Sequence, residues 1–284
     1  MKDWEEAFRR STPLKLYVMH TGYVHMRGNI HFNKADSRFK TMPGDNRLNP
    51  VFAHLVVHPV EGCLLLDTGL HPSFSRHRTG NFGPLLGRMV ETRAERGRDV
   101  AGQLKELGIS LNDVRNIILS HLHLDHPSAL PLFSENKGLR VYVDGVELRL
   151  ARSLFGMFKG YIKSHLAGLD CRSIEYPLSM QPFKAVADFF GDGSVFVLRT
   201  PGHTPGHVSV LLNAAEGPIL LTFDAAHRKA NLDHELPPVG HYPDALESVR
   251  SLKGLSSRFQ DMRVIYGHDP DQLTGLDLAP RFYS

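Results

Sequence analysis

Three imidazoles and one carboxylate fall within six residues, in the motif SHLHLDH at 120–126. An apolar run at 117–119 precedes the motif and predicts a buried strand, and a proline directly follows it. The motif therefore lies on a turn that leaves a strand end, where His121 and His123 can bind one ion while Asp125 and His126 bind another. Neutral imidazole and carboxylate suit zinc and neighbouring first-row metals, and a water in the remaining position makes such a site catalytic.

Histidine is abundant in this chain, with 17 in 284 residues, so a solvated His-rich turn without metal is the alternative interpretation. Further ligand-type residues favour the metal site, because each of them also comes just after a predicted strand. They are Asp67, His203, Asp224 and His268.

The surroundings of these residues indicate different roles. His203 lies in a turn rich in proline and glycine, where a structural histidine is the alternative. Asp224 ends a buried strand, where an unpaired carboxylate is strongly unfavourable and a position between two cations removes the penalty. We expect Asp67 to orient the histidine turn rather than bind metal, and His207 to be a buried hydrogen-bonding residue near the site.

The elements that position these groups follow from hydrophobic patterning. We predict strands at 14–19, 51–58, 63–66, 116–119, 139–143, 194–200, 208–212, 218–223 and 263–266. A helix begins after Asp99, which can cap it, and ends at Gly108, and another covers 243–255. We expect a single domain, 1–284, with loop insertions at about 20–50 and 71–98 and a helical insertion at about 145–169.

The composition, with 42% hydrophobic and 22% charged residues, is ordinary for a soluble globular protein. The net charge of +3 comes without a basic block, so we expect no nucleic-acid partner. No apolar run approaches transmembrane length and no signal peptide is evident, so we expect no membrane partner. Cys63 and Cys171 form no metal-type pair, and these features together favour a cytoplasmic location.

Several motifs together resemble the metallo-β-lactamase superfamily. They are LDTG at 66–69, SHLHLDH at 120–126, TPGH at 200–203, FD at 223–224 and GH at 267–268. More narrowly, TPGHTPGH at 200–207, LTFDA at 221–225, NLDHELP at 231–237 and GHD at 267–269 resemble the N-acyl-homoserine lactonases, which are quorum-quenching enzymes. The resemblance spans about residues 50–275. It implies an α/β fold, namely an αββα sandwich in which two mixed β-sheets are flanked by helices, and a site with two zinc ions.

The resemblance also implies how the ligands divide between the two ions. One zinc takes His121, His123 and His203. The other takes Asp125, His126 and His268. Asp224 bridges both, and other first-row divalent metals suit the same donor set.

The chain departs from the family at one position. The family usually has tyrosine three residues after the bridging aspartate, where this chain has His227. That tyrosine is thought to hold the substrate carbonyl or oxyanion. His227 could donate one hydrogen bond in its place if its tautomer is right, or it could point away from the site.

The implied activity is opening of the lactone ring of N-acyl-homoserine lactones by a metal-bridging hydroxide, since zinc lowers the pKa of bound water to about 7. Asp125 could shuttle the proton. The alternatives are a hydrolase of the same superfamily acting on a different lactone, a thioester or a phosphoester, a non-catalytic binding protein, and an iron enzyme that reacts with oxygen. A small-molecule lactone is the expected partner, and a homodimer is left open.

An acyl chain would need an apolar groove. We expect its walls among aromatic and apolar residues of the loops, although each could singly be core. They are Tyr23, Met26, Phe32, Leu124, Phe155 and Phe158.

Overall fold

Two mixed β-sheets form the centre of the protein in a computed structural model, which describes residues 3–26, 30–41, 47–154 and 156–284. For Met26, Lys40 and Thr41 only the backbone is described. The strands of the first sheet are β1 (Lys15–Met26), β2 (Asn49–His58), β3 (Gly62–Leu66), β4 (Val90–Arg93), β5 (Val114–Ile118), β6 (Arg140–Val143) and β7 (Cys171–Ser173). Their order across the sheet is β4-β1-β2-β3-β5-β6-β7.

The second sheet follows later in the chain. Its strands are β8 (Leu178–Met180), β9 (Phe183–Asp188), β10 (Val195–Arg199), β11 (Val208–Ala214), β12 (Gly217–Phe223) and β13 (Arg263–Tyr266). They lie in the order β13-β12-β11-β10-β9-β8. Strand β12 pairs in parallel with β13, and β3, β5, β6 and β7 are parallel neighbours in the first sheet, so the ends of several parallel strands meet at one edge.

The helices of the described residues are α1 (Trp4–Ala7), α2 (Gly83–Met89), α3 (Val100–Glu106), α4 (Gly145–Arg152), α5 (Lys229–Asp233), α6 (Tyr242–Arg258) and α7 (Pro270–Leu273). Helices α3 and α4 pack in the outer layer of the first sheet, and α1, α5 and α6 pack in that of the second. Shorter 3-10 turns lie at Ser37–Thr41, Pro72–Ser75, Leu111–Asp113, Leu130–Phe133, Gly156–Lys159 and Lys163–Leu166. Among the described residues, no helix is both long and apolar enough to cross a bilayer.

Alternation along the strands builds three apolar layers. In β3, Leu64 and Leu66 join the core between the two sheets, whereas Leu65 faces the outer layer with Val100 and Leu104 of α3. On the far side, α6 packs its buried face, which includes Leu252, against the second sheet. This is the αββα sandwich of two mixed sheets flanked by helices that the resemblance implied.

Several sequence-based boundaries are wrong. Strand β1 runs to Met26, because its second half pairs with both β2 and β4, so the first part of the expected 20–50 loop is strand. The expected irregular segment 71–98 contains α2 and β4. The expected helical insertion is one helix, Gly145–Arg152, followed by 3-10 turns, and strands β7, β8 and β9 were not predicted.

Candidate metal centre

The ligand-type residues lie where the chain leaves strand ends, as the sequence predicted. Strand β5 leads into the SHLHLDH turn, β12 leads into Asp224, and β13 leads through Gly267 into His268. Asp67 and Phe223 have positive φ angles of 54° and 46°, so the backbone turns sharply at both strand ends. A Cβ on Gly267 would lie 2.5 Å from the carbonyl oxygen of Phe223, which explains why only glycine allows this close approach.

Among the described residues, side chains from these turns converge into four groups, and within each group the ligand atoms lie within 4.8 Å of one another. The groups are His121–His123–His203, His121–His126–Asp224, Asp125–His126–His268 and His203–Asp224–His227. The sequence-predicted ligands are thus brought together in one cluster.

Asp224 stands between the two halves of the cluster. Its Oδ2 lies 3.2 Å from His203 Nε2 and 3.7 Å from His121 Nε2. Its Oδ1 lies 3.2 Å from His268 Nε2 and 3.4 Å from His126 Nε2. One carboxylate oxygen therefore faces each half, which is the arrangement a bridging carboxylate needs.

The outer ring nitrogens are held by the protein, which turns the Nε2 atoms towards the centre. His126 Nδ1–H donates to Asp67 Oδ2 at 2.7 Å, and His268 Nδ1–H donates to the carbonyl of Pro50 at 2.7 Å. His203 Nδ1–H donates to the carbonyl of Val239 at 3.0 Å. Such hydrogen bonds fix the tautomer in which Nε2 carries no proton and can bind a metal. The Nε2 of His203 lies 2.8 Å from Nδ1 of His123, so these two nitrogens face each other.

Ser120 completes this support. Its hydroxyl donates to Asp67 Oδ2 at 2.7 Å and lies 3.1 Å from His121 Nδ1, so it can accept from that ring. Asp67 also accepts the backbone N–H of Ser120 at 2.7 Å. The predicted role of Asp67 in orienting the histidine turn is confirmed by these contacts.

Buried polar atoms at the centre fit a cation. His121 Nε2, His126 Nε2 and Asp224 Oδ1 are buried and have no hydrogen-bond partner within the described part of the chain. Native proteins rarely leave such atoms unsatisfied, and imidazole nitrogen with carboxylate oxygen is the donor set of zinc and related ions. The residues present therefore fit a metal centre.

Burial also sets the protonation of the rings. It lowers the pKa of His121 and His203 well below that of free imidazole, so both are neutral and able to bind metal. Burial works against a charge on His126 too, but the nearby carboxylates, with Asp224 the strongest, raise its pKa well above the usual range. The cluster thus attracts positive charge.

His207 and His227 flank the cluster. His207 Nε2 accepts the backbone N–H of Asp224 at 3.1 Å, which confirms its predicted role as a buried hydrogen-bonding residue. His227 is fully buried, and its Nε2 lies 3.2 Å from Asp224 Oδ2. The ring therefore faces the cluster and does not point away.

Glu147 is a supporting residue that the sequence did not reveal. Its Oε1 accepts the N–H of Leu122 at 3.1 Å and its Oε2 accepts the N–H of Gly206 at 3.2 Å. One buried carboxylate on α4 thus ties the turn of His121 and His123 to the loop of His203. No motif marks Glu147, because its contacts join segments that are distant in sequence.

A cavity of about 400 Å³ opens above the cluster. His123, Asp125, His203, Asp224 and His268 form its polar end, and Asn49 also lines it. Its apolar walls include Val24, Ile30, Leu85, Leu86, Met89, Val90, Leu124, Met157, Phe158 and Val239. Such a size and lining suit a small apolar ligand with one polar end.

Only some of the residues that we expected to bind the acyl chain line the cavity. Leu124 and Phe158 line the cavity, but Tyr23 and Phe32 are not among its described lining residues. Val24 lines it instead of Tyr23, because neighbouring residues of a strand point to opposite faces, and Tyr23 packs against the ring of His20. The side chain of Met26 and all of Phe155 lie outside the described residues.

Comparison with known proteins gives consistent matches. The model of the metallo-beta-lactamase superfamily matches residues 46–268. The N-acyl homoserine lactonase AttM of Agrobacterium fabrum is 28% identical over 277 residues, which cover 96% of this chain and 100% of that protein. An N-acyl homoserine lactonase of a Bacillus sp is 31% identical over 244 residues, covering 84% of this chain and 89% of that protein.

Solved structures are similar over nearly the whole chain. A crystal structure of a B. thuringiensis AiiA mutant with N-decanoyl-L-homoserine bound at its active site has a TM-score of 0.78 at 26% identity, covering 96% of this chain and 100% of that one. An N-acyl homoserine lactone hydrolase with the product N-hexanoyl-L-homoserine at its catalytic metal center has a TM-score of 0.77, with the same identity and coverage.

Proposed function

The chain belongs to the metallo-beta-lactamase superfamily and, within it, to the N-acyl homoserine lactonases, and on this premise we propose that it hydrolyses the lactone ring of N-acyl-homoserine lactones. The observation that carries the proposal is the placement of Asp224 and its surrounding imidazoles at the polar end of an apolar cavity. A lactone with an acyl chain has the matching shape, with one polar ring and one apolar tail.

The proposed centre holds two divalent cations, with zinc as the first candidate. One ion would be held by His121, His123 and His203, and the other by Asp125, His126 and His268, and Asp224 would be shared between them. The grouping of the ligand atoms supports this division. When bound, the cations supply Lewis acidity, which activates a water at neutral pH and polarises an ester carbonyl.

The residues around the cations orient the substrate. The walls of the cavity bind the acyl chain and exclude water from it, while the lactone ring lies at the polar end beside Asp125 and Asp224. His227 contacts Asp224 from a fully buried position. Asp125 is positioned to take the proton that the attacking water loses and to deliver it to the ring oxygen as the carbon–oxygen bond breaks. The net reaction adds one water and yields an N-acyl-homoserine.

The direct test is a ring-opening assay on purified protein reloaded with zinc. N-butanoyl-, N-hexanoyl- and N-decanoyl-homoserine lactone are supplied, and the open-chain product is identified by its mass and by the acid released. We expect turnover of all three and a higher kcat/KM for the longer chains, since each buried methylene contributes about 0.8 kcal/mol. No ring opening with any of them would contradict the proposal.

The same protein is assayed against a simple γ-lactone, a thioester and a phosphodiester. A clear preference for one of these over every acyl-homoserine lactone would identify the chain as a hydrolase of the same superfamily with another substrate.

Two further expectations stay predictions. The thiols of Cys63 and Cys171 are free, which supports a reducing, cytoplasmic location. A homodimer and the absence of a nucleic-acid partner await measurement of the particle mass in solution and of nucleic-acid binding.

A further inference from the structure

His227 has two mutually exclusive roles beside the cluster. Its ligand nitrogen lies within 4.8 Å of ligand atoms of His203 and Asp224, so His227 could bind a metal ion as an additional ligand. It could instead carry a proton and donate a hydrogen bond to Asp224 Oδ2, which lies 3.2 Å away. A neutral imidazole has one N–H and one lone pair, so the proton position decides between the roles.

A buried row of hydrogen-bonded side chains lies behind His227. Arg228 Nη2 is 3.1 Å from His31 Nε2, and His31 Nδ1 is 3.3 Å from His227 Nδ1. The same Arg228 nitrogen donates to Asn49 Oδ1 at 3.0 Å. All three side chains of this row are buried: Arg228 is 7% exposed, His31 is 2% exposed and His227 is 0% exposed.

Arg228 fixes the position of the proton on the ring of His31. A guanidinium is always charged and can only donate hydrogen bonds, so His31 Nε2 must accept. His31 is therefore neutral and carries its proton on Nδ1. This hydrogen points at His227 Nδ1.

His31 in turn fixes the position of the proton on His227. His227 Nδ1 must accept from His31 Nδ1–H, so the proton of His227 is on Nε2. The opposite arrangement, which metal binding through Nε2 requires, would place two N–H groups against each other in the buried interior, which is strongly unfavourable. The Nε2 atom of His227 lies 3.2 Å from Asp224 Oδ2, so in this tautomer its N–H faces that carboxylate.

Asn231 holds this row of hydrogen-bonded side chains in place. It is fully buried, and its Nδ2 donates to the carbonyls of His31 and Leu236 at 2.8 and 2.6 Å. Its Oδ1 accepts the backbone N–H of Arg228 at 2.8 Å. The tautomer is therefore imposed by a fixed scaffold rather than by loose side chains.

We propose that Arg228 and His31 are positioning residues that keep His227 as an Nε2–H donor, which faces the Asp224 carboxylate between the two halves of the cluster and does not bind metal. The expected effect on turnover rests on the proposed lactonase function. No proton leaves His227 in this role, because it acts only by orienting the Asp224 carboxylate.

The tautomer is tested by NMR on the zinc-loaded protein with 15N-labelled histidines. Two-bond nitrogen–hydrogen correlations separate Nδ1–H, Nε2–H and metal-bound rings, and the signals that vanish in His227→Gln identify this ring. We expect a neutral ring with its proton on Nε2. A metal-bound Nε2 or a proton on Nδ1 would overturn the proposal whether or not the protein opens lactones.

The positioning role is tested with a matched pair at His31. A glutamine can accept from Arg228 through its oxygen and donate to His227 through its amide nitrogen, whereas a leucine can do neither. We expect His31→Gln to stay within about 3-fold of the wild-type kcat, and His31→Leu to lose about 10-fold or more in kcat, with little change in KM and unchanged zinc content.

A second pair guards against misfolding of His31→Leu. Arg228→Lys keeps a donor and Arg228→Met removes it, and melting temperatures show which variants fold. Equal kcat values within the folded members of each pair would overturn the positioning role. A wild-type protein that opens no lactone would instead contradict the proposed function and the expected effect on turnover, while the NMR result would still decide the tautomer.

Discussion

His126 and Asp67 form a buried hydrogen bond in which the Nδ1–H of the ring donates to a carboxylate oxygen at 2.7 Å. This contact fixes the far nitrogen, Nε2, as the atom that faces Asp224. The carboxylate comes from the end of one strand and the imidazole from the turn after another. The register of two neighbouring strands, β3 and β5, therefore sets the direction of a metal-binding lone pair.

Loss of the Asp67 carboxylate should weaken metal binding without removing a ligand. In Asp67→Asn the amide can no longer accept from Ser120 and His126 together, so we expect the affinity for zinc to fall about 10–100-fold. Competition with a coloured chelator measures this constant. The exposed Asp261→Asn serves as a control with wild-type affinity, and an unchanged affinity in Asp67→Asn would contradict the orienting role.

Asp224→Ala should lose metal and activity together. The substitution removes the group that faces both halves of the cluster, so we expect fewer than two zinc ions per chain and ring opening reduced by at least about 100-fold. Metal analysis and the ring-opening assay are performed on the same sample. Wild-type protein that is stripped by chelator and reloaded is the control, and full zinc content with normal turnover would refute the bridging assignment.

Glu147→Gln should destabilise the fold around the site. The amide would place an NH₂ group against one of the two backbone N–H groups that the carboxylate now accepts from, so we expect a loss of about 1–3 kcal/mol in the free energy of unfolding. Urea unfolding of the zinc-loaded protein measures it. The exposed Glu216→Gln should unfold like the wild type, and equal stability of both variants would argue against the tie between the two loops.

His54 should make stability depend on pH. It is buried on β2 with neither ring nitrogen partnered among the described residues, and burial lowers its pKa from 6.5 to about 3. Between these values only the unfolded chain binds the proton, so stability is lost as the pH falls below about 6.5. In His54→Phe this loss should shrink by about 1.4 kcal/mol at about pH 5.5 relative to about pH 7.5. Unfolding curves at both pH values measure it, and parallel losses in both proteins would exclude this role.

Met89→Glu should impair long acyl chains selectively. Met89 lines the cavity and is 63% exposed, so a charge there meets the apolar tail without disturbing the core. We expect the ratio of kcat/KM for N-decanoyl over N-butanoyl substrate to fall about 10-fold, which corresponds to about 1.4 kcal/mol. Leu154→Glu, at an 87% exposed position that is not among the lining residues, is the control. An equal ratio of kcat/KM for the two substrates in both variants would show that the acyl chain does not bind next to Met89.

The sequence predicted the cluster because its members obey a local rule. A ligand-type residue placed just after an apolar strand is visible in a short stretch of chain, as with Asp224 and His268. Glu147, His31 and Arg228 escaped notice for the opposite reason. Their partners are backbone groups or rings almost 200 residues away, as in the contact between His31 and His227, and a single sequence does not display such pairings.

The boundaries of β1 show the same limit. Its second half is held by β4, a short edge strand from a distant segment, so local patterning suggested a loop. A shift in register between His20 and Gly22 then determines which face each later residue takes. The sequence-based expectation placed Tyr23 in the cavity as an aromatic residue of a loop, whereas the structure has it on a strand, where the neighbouring Val24 faces the cavity.

The central claim is that two cations in this cluster enable the opening of a lactone. Metal-free protein is titrated with zinc while ring opening of N-hexanoyl-homoserine lactone is followed and bound zinc is counted. We predict no activity without metal and a rise that ends at two zinc ions per chain. Full activity in the metal-free protein, or no lactone opening at two bound ions per chain, would contradict the account.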